Sequence, residues 1–484
     1  MPEYRVPGVF VEELSPMPPS VAEVATGLPA FVGYTEKAGL SRPGDLHNVP
    51  HRIRSLAEFE ACYGAAAPYA VSRVDVDLAG NFVAAQIDAR FYLVEALRLF
   101  YANGGIDCHV VSVGGFPRGG KAGIKALTKG LRALAAVDGP DLLLFPDAVT
   151  LGDRHRGSLQ QAALAQCAQR GNRFAVFDLA PADPLGAGLR ENVGVDNLKH
   201  GAAYTPWLLR HPGGPVRYAQ LRTRIFRAGR SIRLSSLTGD PAVLSLLARL
   251  DALCAETAAG ASDEEIEQAE NDLQAAFPLY RGLLDGIRTT TFPCPPSGAM
   301  VGIYARTDRE RGVWKAPANT VVNGIAGLAS EFTASELEAL GSDAGTGKSI
   351  NPIRRLPGKG WQVWGARTLL GNDNEWRYVP VRRFFIMVEA SLRQAVARFV
   401  FEPNDANTWT RVRLMIEDYL LMKWREGALM GTRPEQAFFV RCGLGQTMTA
   451  QDVQAGRLLV EVGLAVLRPA EFIVLRFAQA LQPE

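Results

Sequence analysis

The sequence has no cysteines close enough together to clip a metal or found a disulfide framework. Its six cysteines, Cys62, Cys108, Cys167, Cys254, Cys294 and Cys442, stand far apart and none forms a CxxC pair. They read as free, buried thiols. Charge of one sign is not in excess either: 52 Lys and Arg against 50 Asp and Glu leave a formal net charge of +2. That balance gives no general reason to expect nucleic acid or an anionic membrane as a partner. Long apolar runs are missing, so no segment reads as membrane-spanning. The opening "MPEYRVPGVFVEELSPMPPS" carries no basic stretch followed by an apolar core, and a secretory signal is not expected. Folding in a cytoplasm is the expectation.

Catalytic patterns are incomplete wherever they begin. Gly347-Lys348-Ser349 imitates the end of a phosphate-binding loop, but the pattern needs a glycine five positions earlier, and Ser342 stands there. Pro352 then falls where the following helix should run. The segment reads as a loop, and a nucleotide hydrolase stays only as an alternative. In "LLLFPD" Pro146 separates the strand end from Asp147, which weakens a magnesium reading. No GxSxG occurs, so Ser158 and Ser297 lack the setting of a nucleophile. His47 and His51 have helical metal-ligand spacing, but Pro50 lies between them. His109 sits in an apolar run, and His155, His200 and His211 share no motif with a nearby acid. No metal or cofactor is expected.

What is present is a strong alternation of short apolar runs with amphipathic stretches. "FYLVEALRLFY" (91–101) has helical spacing, "CHVVSV" and "DLLLFPD" read as strands, "SLQQAALAQCAQR" as a helix and "RFAVFDL" as a strand. Strands alternating with helices predict an α/β domain with a mainly parallel sheet. Residues 240–285 predict a helical hairpin, with a capping box from Ser262 to Glu265, and a second box from Thr333 to Glu336 opens a short helix. Two helices are expected over "VRRFFIMVEASLRQAVARFVF" and "NTWTRVRLMIEDYLLMKWREGALMG", followed by the strand-like "RLLVEVGLAVL" and "AEFIVLRFAQ". Both ends of the chain are β-prone without a local partner. Between 311 and 383, loop segments dense in Gly, Arg and Trp ("RGVWKAPAN", "GKGWQVWGARTL", "GNDNEWRYVPVRR") have the composition of protein interfaces. Packing of a local core is the competing explanation.

At these residues the chain resembles the sheath proteins of contractile phage tails and related injection systems. The stretches that carry the likeness are "VPGVFVEE", "LPAFVGYTEKA", "LRLFYANGGIDCHVVSVG", "HGAAYTPWL", "PPSGAMVGIYARTDRERGVWKAPAN", "GKSINPIRRLPGKGWQVWGARTL", "VFEPND" and "RPAEFIVLRF", in the family's order. The form with "GKSIN" and "GNDNEWRYVPVRRFF" is most similar to sheaths of extracellular contractile injection systems. The resemblance implies an outer α/β domain with a subtilisin-like sheet (26–345), without its catalytic triad, and a C-terminal α+β inner domain (346–469). It also implies extended arms at 1–25 and 470–484. It further implies a structural protein, not an enzyme, assembled in a bacterial cytoplasm as stacked hexameric rings around an inner tube protein. Baseplate and terminal cap proteins complete the expected partners, with no nucleic acid and no membrane insertion. The particle would be a phage tail or a released or anchored injector. The arm strands are expected to place Val6, Val9, Phe10 and Val11, and Phe472, Val474 and Leu475, on neighbouring subunits. Arg354, Arg355, Lys359, Trp361, Trp364, Arg367, Arg382 and Arg383 are the candidates for facing the tube or an adjacent subunit.

Overall fold

The computed structural model describes residues 20–471, apart from 118, 215, 257–261, 342 and 344. The chain divides into two compact units, one of residues 25–383 and one of residues 384–484 together with 1–24.

Runs of apolar residues buried along their whole length are what a sheet covered on both faces requires. In the larger unit, β1 (Pro29–Gly33), β3 (Cys108–Ser112), β4 (Leu142–Leu144), β5 (Phe174–Asp178) and β6 (Gly201–Thr205) are such runs. They pair in parallel in the order β3-β1-β4-β5-β6. β2 (His51–Ile53) borders β3 antiparallel at one edge. At the other edge β8 (Asn351–Leu356) joins β6 in parallel, β9 (Gly360–Val363) turns back along β8, and β7 (Thr320–Val321) completes nine strands. Helices α2 (Ile124–Leu134) and α3 (Asp153–Arg170) bury Leu127, Leu131, Leu134, Leu159, Ala163 and Leu164 in one cluster with Val32, Val111, Leu143, Ala175 and Ala203 of the sheet.

Helix α1 (Leu93–Ala102) packs Phe100 edge-on to Phe31 of β1, ring centroids 5.5 Å apart. Helix α4 (Ser297–Arg311) sets the Tyr304 hydroxyl 2.6 Å from that of Tyr204 on β6. These two helices meet backbone to backbone. A Cβ on Gly298 would stand 2.3 Å from the Ala96 carbonyl oxygen, and one on Gly302 2.5 Å from that of Phe100. The glycines of "SGAMVG" are thus set by helix contact, because any side chain there would push the helices apart.

A four-stranded sheet in the order 230–232, 225–227, 70–76 and 82–88 lies in the same unit. The hairpin expected over 240–285 is instead three helices, Pro241–Glu256, Asp263–Ala276 and Pro278–Thr289. Pro278 cannot continue a helix but can begin one, so it breaks the second arm. The Ser262 hydroxyl accepts from the Glu265 amide, and the Glu265 carboxylate from the Ser262 amide, each at 3.2 Å.

In the smaller unit, helix α6 (Ala406–Arg425) starts at Asp405, whose carboxylate accepts from the Thr408 amide. A two-stranded antiparallel sheet follows, β10 (Phe438–Arg441) against β11 (Glu461–Leu464). Residues 20–24 are tied to this unit. Ser391 of α5 (Val379–Val396) accepts from the Val24 amide at 3.0 Å, and Lys423 and Tyr419 of α6 hold the Glu23 carboxylate at 2.5 and 3.0 Å.

The division into two compact units falls inside α5, between Arg383 and Phe384. One expectation needs correction: residues 351–363, read above as loop, form β8 and β9 of the large sheet. Pro352 is tolerated there as a partner of Thr205 at the end of the short β6 ladder.

Candidate interface

The β8–β9 hairpin brings five of the eight candidate residues together. Its turn, Leu356-Pro357-Gly358-Lys359-Gly360, needs left-handed backbone at Gly358 (φ 71°) and Gly360 (φ 75°), which glycine adopts without a Cβ clash. The Lys359 amide closes the turn on the Leu356 carbonyl at 3.1 Å, and the Lys359 side chain stands exposed at the tip. Arg355 pairs across the ladder with Trp361, and both reach solvent. Arg354 lies over Trp364 with its guanidinium carbon 5.7 Å from the ring centroid, and 44% of Trp364 is exposed. Beside the hairpin runs an open groove of 570 Å³ between Leu328, Phe332 and Leu337 on one side and Ile353–Gly358 on the other. Only Asn351 and Pro352 of β8 pair with β6; beyond them Ile353–Leu356 pair with β9 alone among the described strands.

The other three candidates are turned inward. Arg383 is buried and grips Asp308 with both terminal nitrogens, at 2.8 and 2.6 Å, and Asp141 at 3.1 Å. Asp141 in turn accepts from the amides of Gly27 and Leu28. Arg382 is buried against Trp376, which also takes Lys199, the two cations 4.9 and 4.7 Å from the ring centroid. Arg367 donates to the Gly341 carbonyl, and its own amide is held by the Asn351 side chain at 2.7 Å. Paired arginines beside tryptophans look alike in sequence whether they face a partner or brace the chain. Here Arg382 and Arg383 are buried against groups of their own chain. The arm residues Val6, Val9, Phe10, Val11, Phe472, Val474 and Leu475 lie outside the described residues.

The groups that imitated catalytic motifs are engaged within the chain. The Lys348 ammonium is buried and donates to the Arg190 carbonyl, and the Ser349 hydroxyl donates to the Gly341 carbonyl at 2.7 Å. Burial holds the Lys348 pKa below its usual value. Ser297 gives its amide and its hydroxyl to Asp178, at 2.8 and 2.6 Å. Burial lifts the Asp178 carboxyl to about 7 against the pull of those two hydrogen bonds. His200 is buried, and desolvation, together with Arg382, lowers it to about 4. Asp147 is fully buried and accepts from the Tyr34 and Tyr92 amides at 2.7 and 2.6 Å, binding the start of α1 to the end of β1.

Comparison with known proteins matches this architecture along its length. The family models described as phage tail sheath protein central domain and phage tail sheath C-terminal domain match residues 249–369 and 371–480. The chain is 32% identical over 103 residues to a putative prophage major tail sheath protein of Pseudomonas aeruginosa (strain UCBPP-PA14), covering 20% of this chain and 25% of that one. It is 28% identical over 130 residues to the tail sheath protein of Enterobacteria phage T4, covering 26% of this chain and 19% of that one. These alignments thus span a quarter or less of each curated relative. Among solved structures, the helical sheath of the anti-feeding prophage in its contracted state superposes with a TM-score of 0.63 at 28% identity, covering 99% of this chain and 100% of that one. The sheath complex of the extracellular contractile injection system PVC, also contracted, gives 0.61 at 25% identity, covering 99% of each chain. Two adjoining domain models of phage tail sheath proteins and a fold that superposes on solved sheaths over nearly every residue thus make this chain similar to phage tail sheath proteins.

Proposed function

We propose that this chain is the subunit of a contractile sheath, polymerising as stacked hexameric rings around an inner tube and shortening to drive that tube through a target envelope. The observation that carries this reading is the likeness, over 99% of the chain, to two sheaths solved in the contracted state. The smaller unit supplies a physical basis. Its sheet has two strands, and among the described residues neither β10 nor β11 has a second strand partner. A two-stranded sheet is marginal alone and gains from strands added at its edges. Residues 1–19 and 472–484 of neighbouring copies are the proposed additions. Main-chain hydrogen bonds made in this way would tether rings through large rigid-body motions, and a few kcal/mol per subunit, summed over many rings, is enough to drive firing. No bond-making chemistry is required. The partners are further copies, the tube protein, and baseplate and cap proteins, in a phage tail or an extracellular particle. Negative-stain microscopy of assembled particles tests this: a long and a short tubular form are expected, and particles of one fixed length overturn it. A nucleotide-binding assay comparing the native chain with Lys348→Ala separates the hydrolase alternative, for which binding lost in the variant is required.

A further inference from the structure

One stretch of the larger unit has a charge pattern that the net charge of the chain conceals. Between Asp196 and Asp240 there is no acidic residue and there are eight Lys and Arg; between Arg249 and Arg281 there is no basic residue and there are eight Asp and Glu. Part of each run is satisfied within the chain. Arg217 pairs with Glu267 and Glu270 at 3.3 and 3.2 Å, and Arg222 reaches Asp251 at 3.5 Å. A surplus remains on both sides. Strands 225–227 and 230–232 form a hairpin in which 230–232 is the outer edge of the four-stranded sheet. Arg224, Arg230 and Arg233 on and beside it are exposed, and none of them, nor half-buried Arg227, has an ion pair among the described residues. The Nε of Arg227 is buried with no hydrogen-bond partner. On the acidic side, Glu264 is exposed and has no ion pair among the described residues, and half-buried Asp272 accepts from Gln268 at 3.0 Å. Glu264, Gln268 and Asp272 follow at four-residue steps along one helix, a row that drifts about 80° around its axis.

We infer that the arginine-rich hairpin 224–233 is a docking surface for the acidic face of helix Asp263–Ala276 on a second copy of this chain. Basic edge residues also guard a sheet against unwanted pairing. Two features favour the partner: the surplus is matched in sign by an acidic surplus on the same chain, and the pairs formed by Arg217 and Arg222 use the same two runs. A contact between two different faces of identical copies repeats head to tail, so it suits a ring or a helix of subunits. The basic hairpin lies before the segments matched by the sheath family models, whereas the acidic helix lies within the first of them, residues 249–369. The inference rests on the sheath reading only for the identity of the partner.

The test uses two full-length variants, one carrying Arg224→Glu, Arg230→Glu and Arg233→Glu, the other Glu264→Lys and Asp272→Lys. Each alone presents like charges at the contact and is expected to assemble about tenfold less than the native chain at low salt. Mixed together, the acidic hairpin of the first fits the basic helix of the second, and the native faces left on each fit one another. Association measured by sedimentation of the mixture is therefore expected to recover. Arg230→Glu alone serves if the triple variant does not fold. Native-like assembly of either variant by itself, or no recovery on mixing, overturns the inference. So does a triple variant that assembles normally but no longer binds heparin as the native chain does, which would mark the hairpin as a polyanion site. Should the native chain form no tubes while the two variants still associate in the mixture, the sheath reading falls and the contact stands.

Discussion

Arg383 is the residue whose loss the larger unit should feel most. Its guanidinium is the counter-ion of two buried carboxylates, and breaking such a set from one side leaves uncompensated charge where water cannot reach. Arg383→Met is expected to destabilise the monomer by about 3–5 kcal/mol in denaturant titration. Adding Asp308→Asn should recover part of that loss, because one orphaned charge is then gone. Asp178 supplies the opposite case, a carboxyl whose ionised form the fold disfavours. Its folded pKa of about 7 lies above the value near 3.9 of an unfolded aspartate. Between those values the folded chain binds the extra proton, so the contribution of Asp178 to stability is present at the acid end and is lost as pH rises through 7. Asp178→Asn keeps an oxygen for the Ser297 amide and removes the titration. Its unfolding free energy is expected to decline by a few kcal/mol less than that of the native chain between about pH 4 and 7.5. An unchanged slope would assign the decline to other buried carboxyls, such as Asp147, which burial raises to about 6.

The β8–β9 hairpin is the element on which the interface reading turns. Lys359 at its tip has no ion pair among the described residues, so Lys359→Glu is expected to leave monomer stability within about 0.5 kcal/mol. Co-sedimentation with the tube protein should weaken at low salt, and the difference from the native chain should vanish at high salt. Equal co-sedimentation at low salt would leave the hairpin without an electrostatic role. This element also shows where sequence reading ended. The central strands were legible because buried parallel strands are unbroken apolar runs, as in "CHVVSV", "LLLF" and "FAVFD". β8 and β9 carry Asn, Arg and Gln because one side of the hairpin meets solvent, so the apolar signal fails and only "LPGKG" marks a turn. The arginine hairpin at 224–233 was missed for the same reason. In the candidate site, residue type singled out Lys359, Trp361 and Trp364 together with Arg382 and Arg383 and could not tell which of them reach solvent. Direction into or out of the chain is decided by Asp308, Asp141 and Trp376, which come from distant elements or from the turn before α5.

At the scale of the whole molecule, the decisive feature is how the proposed N-terminal arm would be rooted. Residues 20–24 are pinned to the smaller unit by the Ser391 hydroxyl, and the Glu23 carboxylate sits between Lys423 and Tyr419. Lys423 is buried and is held in turn by Glu426 at 2.7 Å. Load carried along an arm that pairs with a neighbour must pass through this root before it reaches the helices. Removing the arm and loosening its root should therefore fail differently. A chain lacking residues 1–12 keeps Glu23 and its partners, so it is expected to fold, melt like the native monomer and form no long sheath. Lys423→Met keeps the arm but leaves Glu23 short of a charge, at a cost of about 1–3 kcal/mol to the monomer. It is expected to form sheaths that shorten incompletely, since rings remain linked while the link yields under load. Microscopy of both variants before and after triggering separates these outcomes. Long, fully contracting sheaths from the deletion would remove the arm from the mechanism, and full contraction by the lysine variant would place the load path elsewhere.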